Sequence, residues 1–212
     1  MRGSSARLQS HHRAHAGPAR GLERDTYPSR ATLKRMPTAY IGLGANLASL
    51  AGPPETTLAT AVARLASLGH VVARSSLYST TPVGFAEQPR FVNAVIALET
   101  ELGPRELLNS LLAIEREFGR DRATGFANGP RTLDLDILLF GDLVLHESDL
   151  EIPHLRLAER AFVLVPLNEV APRARDARLG KSVAELLDDL RAVEEDAVTQ
   201  IESEVWNGRG SN

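Results

Sequence analysis

Residues 129–140 read Gly-Pro-Arg-Thr-Leu-Asp-Leu-Asp-Ile-Leu-Leu-Phe, and no other stretch constrains the chain as tightly. The second half alternates, with Leu133, Leu135 and Ile137 on one side and Asp134 and Asp136 on the other. Period 2 with an apolar run behind it predicts a β-strand with one buried face. On a strand, residues i and i+2 share a face, roughly 6 to 7 Å apart. Two carboxylates held in that way repel each other and raise each other's pKa. A solvated strand face that happens to carry two Asp is one account of the pattern. The other is a divalent cation. Hard oxygen ligands suit Mg2+, which is usually held by one or two carboxylates plus substrate phosphates. Arg131, just upstream, favours the cation.

The 212 residues suffice for one domain with a sizeable core, and 43% hydrophobic with 24% charged residues is a globular balance. The chain has no cysteine. Disulfides, thiolate zinc sites and cysteine nucleophiles are thereby excluded, and a reducing, cytoplasmic setting is expected. No apolar run approaches the roughly 20 residues of a membrane span. The net charge of −3 is uneven: residues 1–35 carry eight Lys/Arg against two acids, whereas the rest carries sixteen against twenty-five. An acidic body argues against a nucleic-acid groove.

Three regions are expected along the chain: a disordered N-terminal extension over residues 1–36, a catalytic domain over 37–190, and a C-terminal helix and tail over 191–212. The extension is rich in Ser, Arg, Gly, Pro and His without periodicity, and Met36 resembles a natural start. Ala39–Leu43 reads as a strand, with Gly44-Ala45-Asn46 as a tight turn. Helical spacing follows from Glu55 to Leu68, then a strand over Val71–Ser79, a loop over residues 80–85 and a strand over Phe91–Glu99. A second helix runs from Gly103 to about Phe118, its stripe made by Leu107, Leu108, Leu111, Leu112 and Ile114. Residues 119–129 form a glycine-bearing loop expected to act as a lid. Leu143–Leu145 is expected to pair with the Asp strand through the Gly141-Asp142 turn. A helix over Ser182–Leu190 follows the apolar run Phe162–Leu167, and the end around Trp206 is expected to fray. Strands joined by short turns, with only two long amphipathic helices, point to an α+β sandwich with an antiparallel sheet flanked by helices.

Neither a Gly-x-x-x-x-Gly-Lys-Ser/Thr loop nor a Gly-x-Gly-x-x-Gly turn is present. A triphosphate bound here must be held by metal and arginine. Arg120, Arg122 and Arg131 bracket the Asp strand, and Arg160 comes later, beside His154. Guanidinium groups stay charged and can chelate phosphate oxygens bidentately. Metal plus arginines is the equipment of phosphoryl transfer. Phe91 and Asn93 share a strand face, and Phe162 follows Arg160. Two rings can sandwich a planar heterocycle while an amide donates and accepts at its edge.

Gly129–Ile137 resembles the signature of hydroxymethyl-dihydropterin pyrophosphokinases. The likeness continues in Gly-Leu-Gly-Ala-Asn at 42–46, Ser-Ser-Leu-Tyr at 75–78 and Gln-Pro-Arg-Phe-Val-Asn-Ala at 88–94. It extends to Ile-Pro-His at 152–154 and Arg-Ala-Phe-Val-Leu at 160–164. The resemblance implies a ferredoxin-like sandwich and transfer of pyrophosphate from ATP to a dihydropterin hydroxymethyl group, with AMP released and two Mg2+ ions required. It implies that Asp134 and Asp136 are the metal ligands, and that Arg120 and Arg131 act with them in catalysis. Phe91 and Phe162 would sandwich the pterin, with Asn93 at its edge and Thr80 and Val83 beside it. Glu115 and Ile137 would line the adenine and ribose region. Arg120, Arg122, Arg131, His154 and Arg160 would meet the phosphates. The partners implied are small molecules, not nucleic acid or membrane, and the chain is expected to act as a monomer.

The sequence departs from the commoner family pattern in two places. Ala127-Asn128 stands where an arginine and an aromatic usually precede Gly-Pro-Arg, with Phe126 as a substitute ring, and Leu155 stands where tyrosine often follows the histidine. Two rival functions have distinct signatures: a pterin- or nucleotide-binding module without turnover, and a Mg2+-dependent kinase moving one phosphoryl group.

Overall fold

A computed structural model describes residues 36–121, 129–191 and 198–208. The N-terminal extension, Arg122 with most of the expected lid, and the acidic stretch Glu194–Asp196 lie outside the described residues. Five strands lead into one antiparallel sheet: β1 (Thr38–Ala45), β2 (His70–Arg74), β3 (Leu77–Thr80), β4 (Phe91–Glu99) and β5 (Asp134–Phe140). Helix α1 (Pro54–Leu65) follows β1, and α2 (Pro104–Glu117) joins β4 to β5. This is a β-α-β-β-α-β plan of ferredoxin-like type, with β2 and β3 as two pieces of one strand. The chain then forms a hairpin, β6 (Leu145–Glu147) with β7 (Leu150–Ile152), and helix α3 (Ala161–Val170). A short ladder of β8 (Arg175–Asp176) with β9 (Lys181–Ser182), helix α4 (Val183–Arg191) and strand β10 (Val198–Ile201) complete it. The sheet order is β10-β3-β4-β1-β5, and β2 also pairs with β4. An α+β sandwich with an antiparallel sheet flanked by helices is therefore what the chain builds.

The alternation read from the sequence sorts the two faces. Ile41 and Leu43 of β1, Ile96 and Leu98 of β4, and Leu135 and Ile137 of β5 pack with Leu58 and Leu65 of α1 and Leu107 and Leu111 of α2. On the opposite face, Val95 and Leu138 pack with Leu164 and Leu167 of α3 and Leu186 and Leu187 of α4. Helices α1, α2 and α4 start where their sequences say they should. Pro54 and Pro104 occupy first-turn positions, where a missing N–H costs nothing. At α4, Ser182 N–H donates to Glu185 Oε2 at 2.7 Å while Glu185 N–H reaches Ser182 Oγ at 3.3 Å, a reciprocal cap.

Three local readings need correction, and one apolar run gains an element. Gly44 and Ala45 are not a turn but the last residues of β1. The strand expected over Val71–Ser79 breaks at Ser75-Ser76. There Ser75 N–H donates to Val95 O at 2.8 Å, and Ser75 Oγ accepts the Val95 N–H at 3.0 Å in place of a backbone carbonyl. Leu145 pairs with Ile152 rather than with the Asp strand. The outer edge of β5 is met instead by His154, whose N–H donates to Leu138 O at 2.9 Å. The apolar run Phe162–Leu167 is helical, inside α3.

Within residues 198–208, the end expected to fray around Trp206 is tied down. β10 adds an edge strand against β3, pairing Val198 with Thr80 and Ile201 with Leu77. Beyond it Trp206 is only 2% exposed, donates its indole N–H to Ser75 O at 2.8 Å and lies under the Arg74 guanidinium. The break at Ser75 is what supplies that carbonyl, so the tail is fastened by a partner 131 positions away in sequence. Among the described residues no helix is long and apolar enough to cross a membrane.

Trp206→Ala should lower stability by about 3–5 kcal/mol, the usual cost of emptying a buried aromatic site. Urea unfolding followed by circular dichroism measures it. An unchanged midpoint would make the tail peripheral to the fold.

Candidate active site

The cleft opens on the sheet face opposite α1 and α2, over the start of β4 and β5. Its floor is β1. There Gly44 lies between Asn93 of β4 and Asp134 of β5, and Gly42 between Val95 and Asp136. A Cβ on Gly44 would come within 3.0 Å of Asn93 Oδ1, and one on Gly42 within 3.3 Å of Leu138. The two glycines leave the middle strand bare on this face, so that the side chains of its neighbours meet above it.

One wall is aromatic and amide-bearing. Thr80, Val83, Phe91, Asn93 and Phe162 all line the cleft. Asn93 is buried and donates from Nδ2 to Thr80 Oγ1 at 2.7 Å, which fixes the amide orientation and keeps Oδ1 beside Gly44. Each ring carries a guanidinium: Arg131 lies 5.2 Å over Phe91 and Arg160 5.5 Å over Phe162.

The other wall is charged. Asp134 and Asp136 project together from β5 into the cleft, as period 2 requires. Asp134 is 21% exposed and pairs with Arg131 at 2.7 Å and with Arg120. Arg120 also binds Glu115 at 2.7 Å and Leu133 O at 3.0 Å. Burial opposes the Arg120 charge, but Asp134 and then Glu115 outweigh it and hold the guanidinium firmly protonated. Asp136 has no such clamp. Burial first, and the neighbouring Asp134 second, push its carboxyl up to about 7 against the pull of Arg160.

His154 stands behind this wall. Burial first, and then Arg160, depress its imidazole to about 4, so it is neutral near pH 7. Its Nδ1 accepts the Arg156 N–H at 3.2 Å, which leaves the ring proton on Nε2. Arg178 donates to His154 O at 3.1 Å and is itself gripped at 3.0 Å by the fully buried Asp176.

Nine of the residues singled out from sequence thus line one cleft: Thr80, Val83, Phe91, Asn93, Arg131, Asp134, Asp136, Arg160 and Phe162. Arg120 and His154 support it from behind. Arg122 lies outside the described residues. Glu115 and Ile137 are elsewhere. Ile137 is on the opposite face of β5, in the apolar core, because it is out of phase with Asp136. Glu115 is 1% exposed beneath the sheet edge, where Oε1 accepts the Leu135 N–H at 2.9 Å as well as Arg120. Sequence reasoning missed Arg156, which lines the cleft four residues before Arg160 and carried that spacing as its only signal. It also missed Asp176 and Arg178, for which no local pattern exists. The assembled cleft can stack a planar heterocycle and hold a polyanion beside a pair of carboxylates that could take a hard cation.

A family model described as 7,8-dihydro-6-hydroxymethylpterin-pyrophosphokinase matches residues 40–172. The 2-amino-4-hydroxy-6-hydroxymethyldihydropteridine pyrophosphokinase of Pseudomonas aeruginosa is 47% identical over 152 residues, covering 70% of this chain and 88% of that protein. The protein of the same name from Synechocystis is 42% identical over 154 residues, covering 72% of this chain and 75% of its own length. In the crystal structure of Plasmodium falciparum HPPK-DHPS wild type with pteroate, the matched region is 15% identical with a TM-score of 0.63. It covers 79% of this chain and 48% of that one. At that identity the likeness is one of fold, and this chain spans about half of the solved protein. With the cleft built on the matched residues and the relatives covered over most of their length, the chain belongs to the 7,8-dihydro-6-hydroxymethylpterin-pyrophosphokinase family.

Proposed function

We propose that this chain transfers a pyrophosphoryl group from ATP to the hydroxymethyl group of 6-hydroxymethyl-7,8-dihydropterin, releasing AMP, as a step of folate biosynthesis. The observation that carries this reading is the meeting, in one cleft, of a ring-and-amide wall with a carboxylate pair set among arginines. The hydroxymethyl oxygen attacks the β-phosphorus of ATP. An O–P bond forms there, the bond from that phosphorus to the α–β bridging oxygen breaks, the hydroxyl gives up its proton, and AMP departs. Such a transfer asks the protein mainly for positioning and charge neutralisation.

In this reading Phe91 and Phe162 bracket the pterin, Asn93 and Thr80 meet its polar edge, and Val83 closes the side. Arg131, Arg156 and Arg160 face the phosphates, and His154 offers its Nε2 proton to them. Arg120 holds Asp134 in place. Arg122 is assigned to the phosphates on the resemblance alone. Glu115 and Ile137, buried away from the cleft, have no direct part. One copy of the chain supplies every residue named, which supports action as a monomer, and the acidic balance of residues 36–212 argues against a nucleic-acid partner.

The donor set fits magnesium. Asp134 and Asp136 offer hard oxygens on one face, and among the described residues no group of three acidic, histidine or cysteine side chains stands ready to enclose an ion. Remaining coordination positions then fall to phosphate oxygens and water, the usual pattern for this cation. When bound, magnesium, two ions in this reading, neutralises charge that builds on the phosphate oxygens during transfer.

Incubation with ATP, Mg2+ and the dihydropterin alcohol should yield AMP and the pterin diphosphate. ADP would make the chain a single-phosphoryl kinase, and no product would make it a binding module. Asp134→Asn and Asp136→Asn should each lower the single-turnover rate by orders of magnitude while weakening ATP binding less. Near-normal turnover in either variant would put the ligands elsewhere.

Asp134→Asn should also bring the Asp136 carboxyl down from about 7, because a neighbouring negative charge is removed and Arg131 is released toward it. Carboxyl 13C NMR in metal-free buffer reads the titration. A midpoint that stays put would leave burial as the sole cause.

Phe91→Ala should weaken pterin binding by about 0.5–1.5 kcal/mol beyond the loss of burial, with ATP affinity little changed. Calorimetry with each ligand separates the two effects, and equal damage to both would remove Phe91 from the acceptor wall.

A further inference from the structure

Asn46 touches none of the reacting groups named above, yet it is 4% exposed and its amide is fully engaged. Nδ2 donates to Gln88 Oε1 at 3.0 Å and to Pro89 O at 3.0 Å. Oδ1 accepts the Arg131 N–H at 2.8 Å. In return the N–H groups of Asn46 and Leu47 donate to Arg131 O at 3.0 and 3.1 Å. One residue therefore holds Arg131 by both its N–H and its carbonyl, and in the same stroke ties down the segment that leads into Phe91. It can do so because it follows directly on β1, the strand lying between β4 and β5.

Arg131 is the side chain common to both walls, 5.2 Å over the Phe91 ring and 2.7 Å from Asp134. A guanidinium can serve two partners only if its backbone is fixed, and a buried amide with every donor and acceptor used is a rigid fixture. We propose that Asn46 is a positioning residue that couples the acceptor and donor halves of the cleft. It holds Arg131 and the Gln88-Pro89 segment in one register. This rests on the pyrophosphokinase reading, with Phe91 facing the pterin and Asp134 the donor.

Three variants test it against the wild-type protein: Asn46→Ala, Asn46→Asp and Gln88→Ala. Asn46→Asp keeps the acceptor for the Arg131 N–H but makes the contact to Pro89 O repulsive and forces the Gln88 amide to flip away from Phe85 O. It should raise the KM for pterin about tenfold and leave kcat within about threefold. Asn46→Ala loses both anchors and should lower kcat about a hundredfold as well, since small misplacements of catalytic groups cost that much. It should also abolish any gain in affinity for a non-hydrolysable ATP analogue that bound pterin confers on the wild type. Gln88→Ala should reproduce only the rise in pterin KM, at about threefold.

Wild-type AMP formation tests the underlying reading separately. With that activity present, unchanged kcat and KM in folded Asn46→Ala overturn the coupling role. So does a deficit in kcat that disappears at low temperature, where the variant is fully folded, because that pattern belongs to stability alone. If neither Asn46 variant folds, Gln88→Ala decides: an unchanged pterin KM rejects the proposal, and a raised one at normal melting temperature supports it.

Discussion

Among the described residues, Asp134 at the start of β5 is neutralised by two arginines. Its carboxylate has Arg131 on one oxygen and Arg120 on the other, and Arg120 spans the gap to Glu115 beneath the sheet edge. Removing one partner of such a partly buried set typically costs about 3–5 kcal/mol, because the remaining charge is stranded away from water. The arrangement is therefore all-or-none in character. Glu115 orders Arg120 and receives the Leu135 N–H, so the α2 C-terminus and the start of β5 are locked together through one carboxylate. With Asp134 compensated in this way, the uncompensated share of negative charge falls on Asp136. The Asp134 charge adds to burial, the larger cause, in raising the Asp136 pKa.

The same site depends on a negative feature of the sequence, the lack of side chains at positions 42 and 44. A sheet places neighbouring strands under 5 Å apart, so residues flanking a middle strand meet across it only if that strand presents nothing on the shared face. Gly42 and Gly44 satisfy this on the cleft side, while Ile41 and Leu43 keep β1 anchored in the core on the other. Either glycine could be replaced without backbone strain, since neither has positive φ; what an added methyl would meet is Asn93 or Leu138. The ring-and-amide wall and the charged wall are adjacent because β1 is empty between them.

Legibility from sequence followed the range of the forces involved. Asp134, Asp136, Phe91 and Asn93 were readable because strand periodicity is local and puts each pair on one face whatever the rest of the chain does. The sheet class was readable for the same reason. Gly44 was misread as a turn residue, since a glycine needed for close approach looks like one needed for φ freedom. Glu115 and Ile137 came from family likeness rather than from pattern. Phase alone places Ile137 with Leu135 on the buried face. Trp206, Arg178 and Asp176 were not legible at all. Trp206 and Arg178 are set by partners far off in the chain, Ser75 O for the indole and His154 O for the guanidinium, and no spacing rule announces such contacts.

The pairing of each ring with an arginine bears on how the cleft selects its acceptor. A guanidinium over an aromatic face is worth about 0.5–1 kcal/mol when partly exposed, and an aromatic pair about 0.5–1.5 kcal/mol. A heterocycle that takes over contacts held by Arg131 and Arg160 therefore gains little from stacking alone. Discrimination passes to the polar edge. Asn93 has its Nδ2 committed to Thr80 and so presents an acceptor, Oδ1, beside Gly44. Thr80 accepts from Asn93 and is left with a hydroxyl proton to give. A ligand edge that pairs a donor with an adjacent acceptor satisfies both groups, whereas a merely flat molecule leaves two buried polar atoms unpaired at about 1–3 kcal/mol each. If a planar heterocycle binds here, its selection would rest less on what the rings attract than on what the Asn93–Thr80 pair would leave unsatisfied.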